Sequence, residues 1–128
     1  MKTVLVVEDD PDIPIILSKG LDFYQTEMAT CVKDACESLQ AAHFDLVVLD
    51  IGLPDGSGLE VLSRLRAGTL GAALRTLPVV ILSAAAEKAD VAVGMKLGAN
   101  AYLTKPFDFV LLRRKIDTLL VLPSHAVP

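Results

Sequence analysis

The sequence predicts an α/β fold with a doubly wound parallel sheet, and two features of the chain carry this prediction. Short apolar runs alternate five times with segments of helical periodicity along the chain, which is typical of repeated βα units. Three of the runs, at 4–7, 46–49 and 79–82, are apolar at every position, as parallel strands are when helices cover both faces of their sheet. These three strands are therefore expected in the middle of the sheet.

The five predicted strands span residues 4–7, 27–31, 46–49, 79–82 and 101–103. The runs around Met28 and Tyr102 are more polar than the other three, which is typical of edge strands. Doubly wound sheets with right-handed crossovers have two common strand orders, and one of them is the flavodoxin-like order 2-1-3-4-5. The predicted fold class is thus α/β, with a (βα)5 arrangement that fits this order.

The predicted helices span residues 12–23, 32–42, 59–67, 87–97 and 107–120. Gly68 and Gly98 directly follow two of these helices, at the position where a left-handed residue commonly ends a helix. The connection 67–76 is long, and we expect a short extra turn in it.

Length and composition indicate one domain that buries its own core. The chain has 128 residues, of which 52% are hydrophobic and 22% are charged, and a chain of this kind can fold alone. We expect the domain to cover residues 1–121, and residues 122–128 to form a C-terminal tail or the start of a linker. The net charge of −4, without a run of lysine or arginine, argues against direct binding of DNA or RNA.

The apolar run near the N-terminus is too short for a signal peptide or a membrane span, so we expect a cytoplasmic protein without membrane contact. The sequence has neither a second cysteine pair nor a nearby histidine pair that would complete a zinc site with Cys31 and Cys36. Both thiols are expected to be reduced and packed. His43 and His125 have no acid or thiol partner at a useful spacing, so neither is expected to carry a phosphoryl group.

Reactive side chains follow four of the five predicted strands, at the end where ligands bind in open α/β sheets. They are Glu8, Asp9 and Asp10 after the first strand, Asp50 after the third, Ser83 after the fourth, and Thr104, Lys105 and Pro106 after the fifth. In the order 2-1-3-4-5 these four strands are neighbours. The reactive groups are therefore expected to meet at one edge of the sheet.

Carboxylates that meet on a partly desolvated edge repel one another, so either some of them take up a proton or a cation joins them. The candidate ligands are all oxygens and no cage of further acids surrounds them, which favours Mg²⁺ with several bound waters over Ca²⁺. Lys105 would neutralise a group added beside the ion, and Ser83 would offer it a hydroxyl donor. This set of groups favours phosphoryl transfer to Asp50 as the nucleophile, with an acyl phosphate as the product.

Four pieces of the sequence, in this order and at this spacing, closely resemble the receiver domain family of two-component response regulators over nearly the whole chain. They are 4–11 (VLVVEDDP), 50–58 (DIGLPDGSG), Ser83, and Lys105 with Pro106. The resemblance implies a signalling switch rather than an enzyme. Such a switch catalyses only its own phosphorylation and dephosphorylation. The implied phosphoryl donor is a histidine kinase or a histidine phosphotransfer protein, and the implied cofactor is Mg²⁺, with Mn²⁺ as a substitute.

The same resemblance assigns a metal site. Asp9 and Asp50 are implied as direct ligands, with the backbone carbonyl of Gly52 as the third protein contact. Glu8 is implied to act through a water molecule.

The resemblance also assigns the parts of a switch. Ser83 matches the hydroxyl switch residue, Tyr102 the aromatic switch residue and Lys105 the phosphate-binding lysine. The bond between Lys105 and Pro106 is implied to be cis, a form that costs little before proline. A new dianion at Asp50 would attract Ser83 and Lys105, and Tyr102 could fill the space that is vacated.

The surface expected to change is formed by helix 4, strand 5 and helix 5 of the prediction. The last of these helices contains more apolar residues than one buried stripe requires. We therefore expect this surface to bind a downstream protein target or a second copy of the chain after phosphorylation.

Two alternatives to this interpretation stay open. A hydrolase of the haloacid dehalogenase type also forms an aspartyl phosphate, but it normally has a second acid two residues after the nucleophile, where this chain has Gly52. The chain is also too short for a substrate cap. The second alternative is an unphosphorylated interaction module of the same fold, against which the complete set of acids and Lys105 argues.

Overall fold

A computed structural model describes residues 1–13, 21, 23–84 and 88–125, of which residues 88 and 121–125 are described by their backbone alone. Five strands form one sheet: β1 Thr3–Val7, β2 Gln25–Ala29, β3 Leu46–Asp50, β4 Val79–Ala84 and β5 Ala101–Lys105. Every neighbouring pair is parallel, and the order is β2-β1-β3-β4-β5. The predicted fold class and the flavodoxin-like order are confirmed.

The three solidly apolar runs form the middle of the sheet, as predicted. Every residue of β3 is buried, and so are 4–7 in β1 and 79–83 in β4. The strands β2 and β5 lie at the edges and expose part of their residues. A strand covered on both faces needs an apolar side chain at each position, whereas an edge strand does not.

Four helices are described, and they correspond to the second to fifth predicted helices. They are α1 Val32–Ala41, α2 Gly58–Ala67, α3 Lys88–Leu97 and α4 Phe109–His125. The first predicted helix, 12–23, lies mainly outside the described residues, which include only 12–13, 21 and 23 of this range. A short 3₁₀ helix at Ala72–Leu74 provides the extra turn expected in the long connection.

The helices divide the core into two layers, one on each face of the sheet. On one face, Leu49 and Ile81 pack with Leu62 of α2 and with residues of α1 and α3. On the other face, Val48 packs with Leu112 of α4 and its neighbours. The two layers hold the strands in place, so the carboxyl ends of the strands lie together at one edge. Within the described residues, no helix combines the length and apolar character that a membrane crossing requires.

Helix ends follow the predicted signals, with two differences. Gly68 ends α2 in the left-handed region at φ 82°, and Gly98 after α3 also has a positive φ. The strand β2 lies two residues earlier than predicted because Cys31 is the N-cap of α1, where its sulfur accepts the N–H of Asp34. The last helix continues to His125, so residues 122–125, predicted as tail, are helical.

A carboxylate ties β1 to the segment before β3 at the amino edge of the sheet, opposite the carboxyl ends. Asp45 Oδ2 accepts the N–H of Thr3 at 2.8 Å, and Asp45 Oδ1 lies 3.0 Å from His43 Nε2 and 4.0 Å from Lys2 Nζ. The expectation that His43 lacks an acid partner is therefore wrong. Two residues in an irregular segment can face each other, which spacing rules for helices and strands do not anticipate.

Candidate functional site

The ends of β1, β3, β4 and β5 bring the predicted reactive residues together. Glu8 directly follows β1, where its N–H donates to the Ala29 carbonyl of β2 at 2.9 Å. Asp50 is the last residue of β3 and is in register with Leu82 of β4. Ser83, one residue further along β4, is in register with Thr104 of β5. Parallel pairing therefore gathers residues that are far apart in sequence.

Three carboxylates form a compact cluster at this edge. Glu8, Asp9 and Asp50 each offer an oxygen, and these oxygens lie within 4.8 Å of one another. Glu8 and Asp50 are buried, whereas Asp9 is exposed. Like charges this close in a partly desolvated site disfavour their own ionised forms. The cluster is thus open to solvent on the side of Asp9 and enclosed on the side of the other two acids.

Lys105 reaches the cluster from the end of β5. Its Nζ lies 2.7 Å from Glu8 Oε1 and 3.1 Å from Asp50 Oδ2. Burial lowers the pKa of Lys105, but the two carboxylates outweigh burial and raise the pKa above its usual value. Lys105 is therefore a cation at neutral pH, with one positive charge for three acids. The peptide bond between Lys105 and Pro106 is cis.

The buried position of Glu8 disfavours its ionised form. Burial raises the pKa of Glu8 well above its usual value, Asp50 raises it further, and Lys105 offsets part of the shift. Its second oxygen, Oε2, is buried and has no hydrogen-bond partner among the described residues. A buried carboxylate oxygen without a partner is costly. The arrangement suits a cation, or water bound to one.

The residues present fit a hard divalent ion. All three clustered side chains offer oxygen, which Mg²⁺ prefers over nitrogen or sulfur, and the unpartnered Glu8 oxygen lies in the same cluster. Gly52 lies beside it, since its N–H donates to Asp50 Oδ1 at 3.3 Å. Asp9, Asp50 and Gly52 could hold such an ion directly, with Glu8 reached through water.

The two predicted switch residues differ in their surroundings. Ser83 is buried beside the cluster, and no described group forms a hydrogen bond with its Oγ. Tyr102 lies on β5 in register with Ile81. Its side chain is 47% exposed, so it faces solvent rather than the carboxylates.

Gly58 has a role that sequence reasoning did not single out. Its N–H donates to the Ile51 carbonyl at 2.8 Å, and a Cβ at this position would lie 2.0 Å from the carbonyl oxygen of Asp50. Only glycine lets α2 begin this close to the end of β3. The signal in the sequence is a glycine directly before a helical pattern, which alone does not distinguish close approach from an ordinary helix start.

The sequence of this chain matches a known family. The family model for the response regulator receiver domain matches residues 4–117. The transcriptional regulatory protein BasR of Escherichia coli is 40% identical over 119 residues, which are 91% of this chain and 51% of that protein. IrlR of Burkholderia pseudomallei is 37% identical over 91% of this chain and 49% of its own length. The chain thus spans about half the length of these relatives.

Solved structures of receiver domains are also similar to this chain. The receiver domain of the Francisella response regulator 1452 has a TM-score of 0.83 at 29% identity, over 94% of this chain and 97% of that one. The non-phosphorylated HemR receiver domain of Leptospira biflexa has a TM-score of 0.81 at 30% identity, over 94% of both chains.

Proposed function

Because this chain belongs to the response regulator receiver domain family, we propose that it accepts a phosphoryl group on Asp50 from a phosphohistidine donor and signals through a change of its surface. The observation that carries the proposal is the position of Asp50. Its carboxylate is buried, lies 3.1 Å from Lys105 Nζ, and shares a cluster with two further acids. The donor would be a histidine kinase or a histidine phosphotransfer protein.

Asp50 is the proposed nucleophile. One of its oxygens bonds to phosphorus while the bond from phosphorus to the donor histidine nitrogen breaks, and that nitrogen keeps the electron pair. Lys105 already pairs with Asp50 Oδ2, so its charge can offset the charge that the phosphoryl group brings. Attack by water on the acyl phosphate returns the carboxylate and releases inorganic phosphate. The chain is a switch whose catalysis is confined to its own phosphorylation and dephosphorylation.

The proposed cofactor is Mg²⁺, for which Mn²⁺ can substitute. The oxygen donors within 4.8 Å and the unpartnered Glu8 Oε2 support this proposal. We assign direct contacts to Asp9, Asp50 and the backbone carbonyl of Gly52, and a contact through water to Glu8. When bound, the ion offsets negative charge on the oxygens of the transferred group.

The proposed switch uses Ser83 and Tyr102. The Ser83 hydroxyl lies buried at the same edge as Asp50 without a described hydrogen-bond partner, so it can turn to a phosphoryl oxygen at little cost. Residues 85–87, which follow β4, lie outside the described residues. The Tyr102 side chain is half exposed and can move inward into the space that the movement of Ser83 vacates.

The proposed output surface consists of α3, β5 and α4. Met95, Tyr102 and Leu111 line a groove of about 440 Å³ on this surface. Val93, Leu97 and Val110 expose further apolar area on the same helices. An apolar patch of this kind marks a binding site for another protein, which we propose to be a downstream target or a second copy of the chain.

We place the protein in the cytoplasm, where phosphohistidine donors of this type act, and propose no contact of this domain with nucleic acid or membrane. The net charge of −4 supports that part of the proposal. BasR and IrlR are named as transcriptional proteins, but this chain matches only about half of each. An output function in DNA binding would belong to a segment outside this domain.

Phosphorylation can be tested by mass. Incubation with acetyl phosphate and Mg²⁺ is expected to add one phosphoryl group to the intact protein. The addition should be lost in Asp50→Asn and on removal of Mg²⁺ with a chelator. Asp45→Asn, which changes a carboxylate at the opposite edge of the sheet, should keep it. Addition to Asp50→Asn would contradict the proposal, and a wild-type protein that takes no phosphoryl group would favour the unphosphorylated interaction module.

The hydrolase alternative gains no support from the site. Gly52, two residues after Asp50, has no side chain to protonate a leaving group.

A further inference from the structure

A hairpin follows Asp50 and leads into α2. Its two short strands, Gly52–Leu53 and Gly56–Ser57, pair in antiparallel register. At its base, the Gly52 N–H donates to Asp50 Oδ1 and the Gly58 N–H donates to the Ile51 carbonyl. The base of the hairpin is therefore attached to the end of β3.

The tip of the hairpin is attached to a different helix. Asp55 Oδ1 accepts the N–H of Val32 at 2.7 Å, and Asp55 Oδ2 accepts the N–H of Lys33 at 3.0 Å. These are the first two residues of α1, and N–H groups in the first turn of a helix have no partner within the helix. One carboxylate thus binds the N-terminus of α1 with both of its oxygens.

The contact between Asp55 and α1 is favourable although the Asp55 side chain is exposed. The N–H groups of Val32 and Lys33 lower the pKa of the Asp55 carboxyl, and a negative charge near a helix N-terminus is stabilised by the helix dipole. The carboxylate is therefore ionised at neutral pH and can keep both hydrogen bonds.

Helix capping alone does not explain why the carboxylate comes from the hairpin. Cys31, the residue directly before α1, already acts as its N-cap by accepting the N–H of Asp34. Asp55 lies more than twenty residues away in sequence, so its hydrogen bonds also fix one segment against another. Since Val32 and Leu39 of α1 are buried in the core, the hairpin is attached to a part of the molecule that is itself held firmly.

We propose that Asp55 is a positioning residue for the divalent ion at the acidic cluster. By attaching the hairpin tip to α1, it keeps Gly52 beside Asp50, so that the backbone carbonyl of Gly52 is ready to contact the ion. This inference rests on the proposed function, because it concerns the same ion. Groups that orient a metal ligand without touching the metal affect its affinity strongly.

The test measures Mn²⁺ binding from the electron paramagnetic resonance signal of the free ion. Asp55→Ala is expected to weaken Mn²⁺ binding roughly 10-fold, the lower end of the range for residues that orient a ligand. Asp55→Asn keeps one oxygen acceptor but cannot accept the second N–H, so its loss should be smaller. In phosphorylation with acetyl phosphate, Asp55→Ala should need more Mg²⁺ for half of the maximal rate, while the rate at saturating Mg²⁺ should change little.

Asp45→Ala is the matched control. Asp45 also ties two distant segments through a backbone N–H, that of Thr3, but at the opposite edge of the sheet. Its loss should lower stability toward urea and leave Mn²⁺ affinity unchanged. Equal Mn²⁺ affinity of wild type and Asp55→Ala would overturn the inference, and so would an equal loss in Asp45→Ala.

If Asp55→Ala does not fold, Asp55→Asn decides, and an unchanged Mn²⁺ affinity of that variant overturns the inference. A wild-type protein that neither binds Mn²⁺ nor takes a phosphoryl group on Asp50 contradicts the proposed function, and the role of Asp55 falls with it. If the wild-type protein binds Mn²⁺ and substitution of Asp55 does not change the affinity, the proposed function stands and only the positioning role of Asp55 is rejected.

Discussion

Asp45 links proton binding to stability at the amino edge of the sheet. Desolvation raises the pKa of its carboxyl, but the N–H of Thr3 and the His43 ring outweigh desolvation and lower the pKa overall. A carboxyl with a lowered pKa in the folded protein stabilises it above the pKa of the unfolded chain. That stabilisation is lost as the pH falls through the folded value.

We therefore predict that Asp45→Asn flattens the acid side of the stability profile. The asparagine can still accept the Thr3 N–H, so the loss at pH 7 should be roughly 1 kcal/mol. Below about pH 4, where free aspartate takes up a proton, wild-type stability should fall more steeply than that of the variant. Urea unfolding at a series of pH values measures both, and parallel profiles of the two proteins would contradict the prediction.

At the scale of residues, the sequence identified the acids and the lysine of the candidate site but not their supports. Glu8 and Asp50 directly follow apolar runs, and Lys105 is the second residue after the last predicted strand. A parallel sheet must bring these strand ends together. Asp55 and Gly58 could not be found this way. Their roles depend on how the chain turns back after β3, and that path is set by packing rather than by a local pattern.

The Arg66 side chain connects α2 with the segment before β4 and with the segment between α3 and β5. From the last turn of α2, Nη1 donates to the Leu77 carbonyl at 2.8 Å before β4, and Nε and Nη2 donate to the Gly98 carbonyl after α3 at 3.1 and 2.9 Å. Nη2 also donates to Asn100 Oδ1 at 3.2 Å. One guanidinium therefore fixes the amino ends of β4 and β5 relative to α2.

Arg66→Met should destabilise the fold by about 1–3 kcal/mol, because it keeps the aliphatic stem but removes the guanidinium donor from the partly buried Leu77 carbonyl. Arg64→Met is the matched control on the same helix. It removes the same charge from an exposed pair with Glu60, which should cost less than about 1 kcal/mol. The midpoint of urea unfolding at constant slope measures both changes. Equal losses in the two variants would show that Arg66 is only a surface charge.

At the scale of elements, periodicity predicted the bounds of the strands and of the described helices within two residues, except that α4 continues to His125 rather than ending at residue 120. The strand β2 shifted because Cys31 caps α1, which a run of apolar and polar residues does not reveal. The Arg66 contacts were not predicted, since nothing local indicates that the turns before β4 and β5 lie close to each other.

At the scale of the whole molecule, most of the large apolar side chains that are exposed among the described residues lie on α3, β5 and α4. Val110 is 60% exposed and Leu111 is 43% exposed on α4, and Leu111 lines a groove together with Tyr102 of β5. Met28 is exposed on β2, at the opposite edge of the sheet. The two edges therefore allow a controlled comparison of apolar residues that differ in position but little in exposure.

We predict that Leu111→Glu reduces self-association of the phosphorylated protein and leaves phosphorylation of Asp50 intact, because a charge on an apolar contact surface must be desolvated on binding. Met28→Glu, the control, should change neither. Sedimentation velocity with and without acetyl phosphate measures the association. Self-association that persists in Leu111→Glu would exclude this surface, and a wild-type protein that remains monomeric would favour a downstream target over a second copy.

The ion pair between Glu8 and Lys105 joins residues 97 positions apart, and Asp50 enters the same cluster from the middle of the chain. A nascent chain on the ribosome, or a truncated chain without β5, contains the three acids but lacks Lys105. Competence for the proposed reaction therefore arrives only with the final strand. Immature or damaged copies that lack this strand would not accept the phosphoryl group and would therefore not signal.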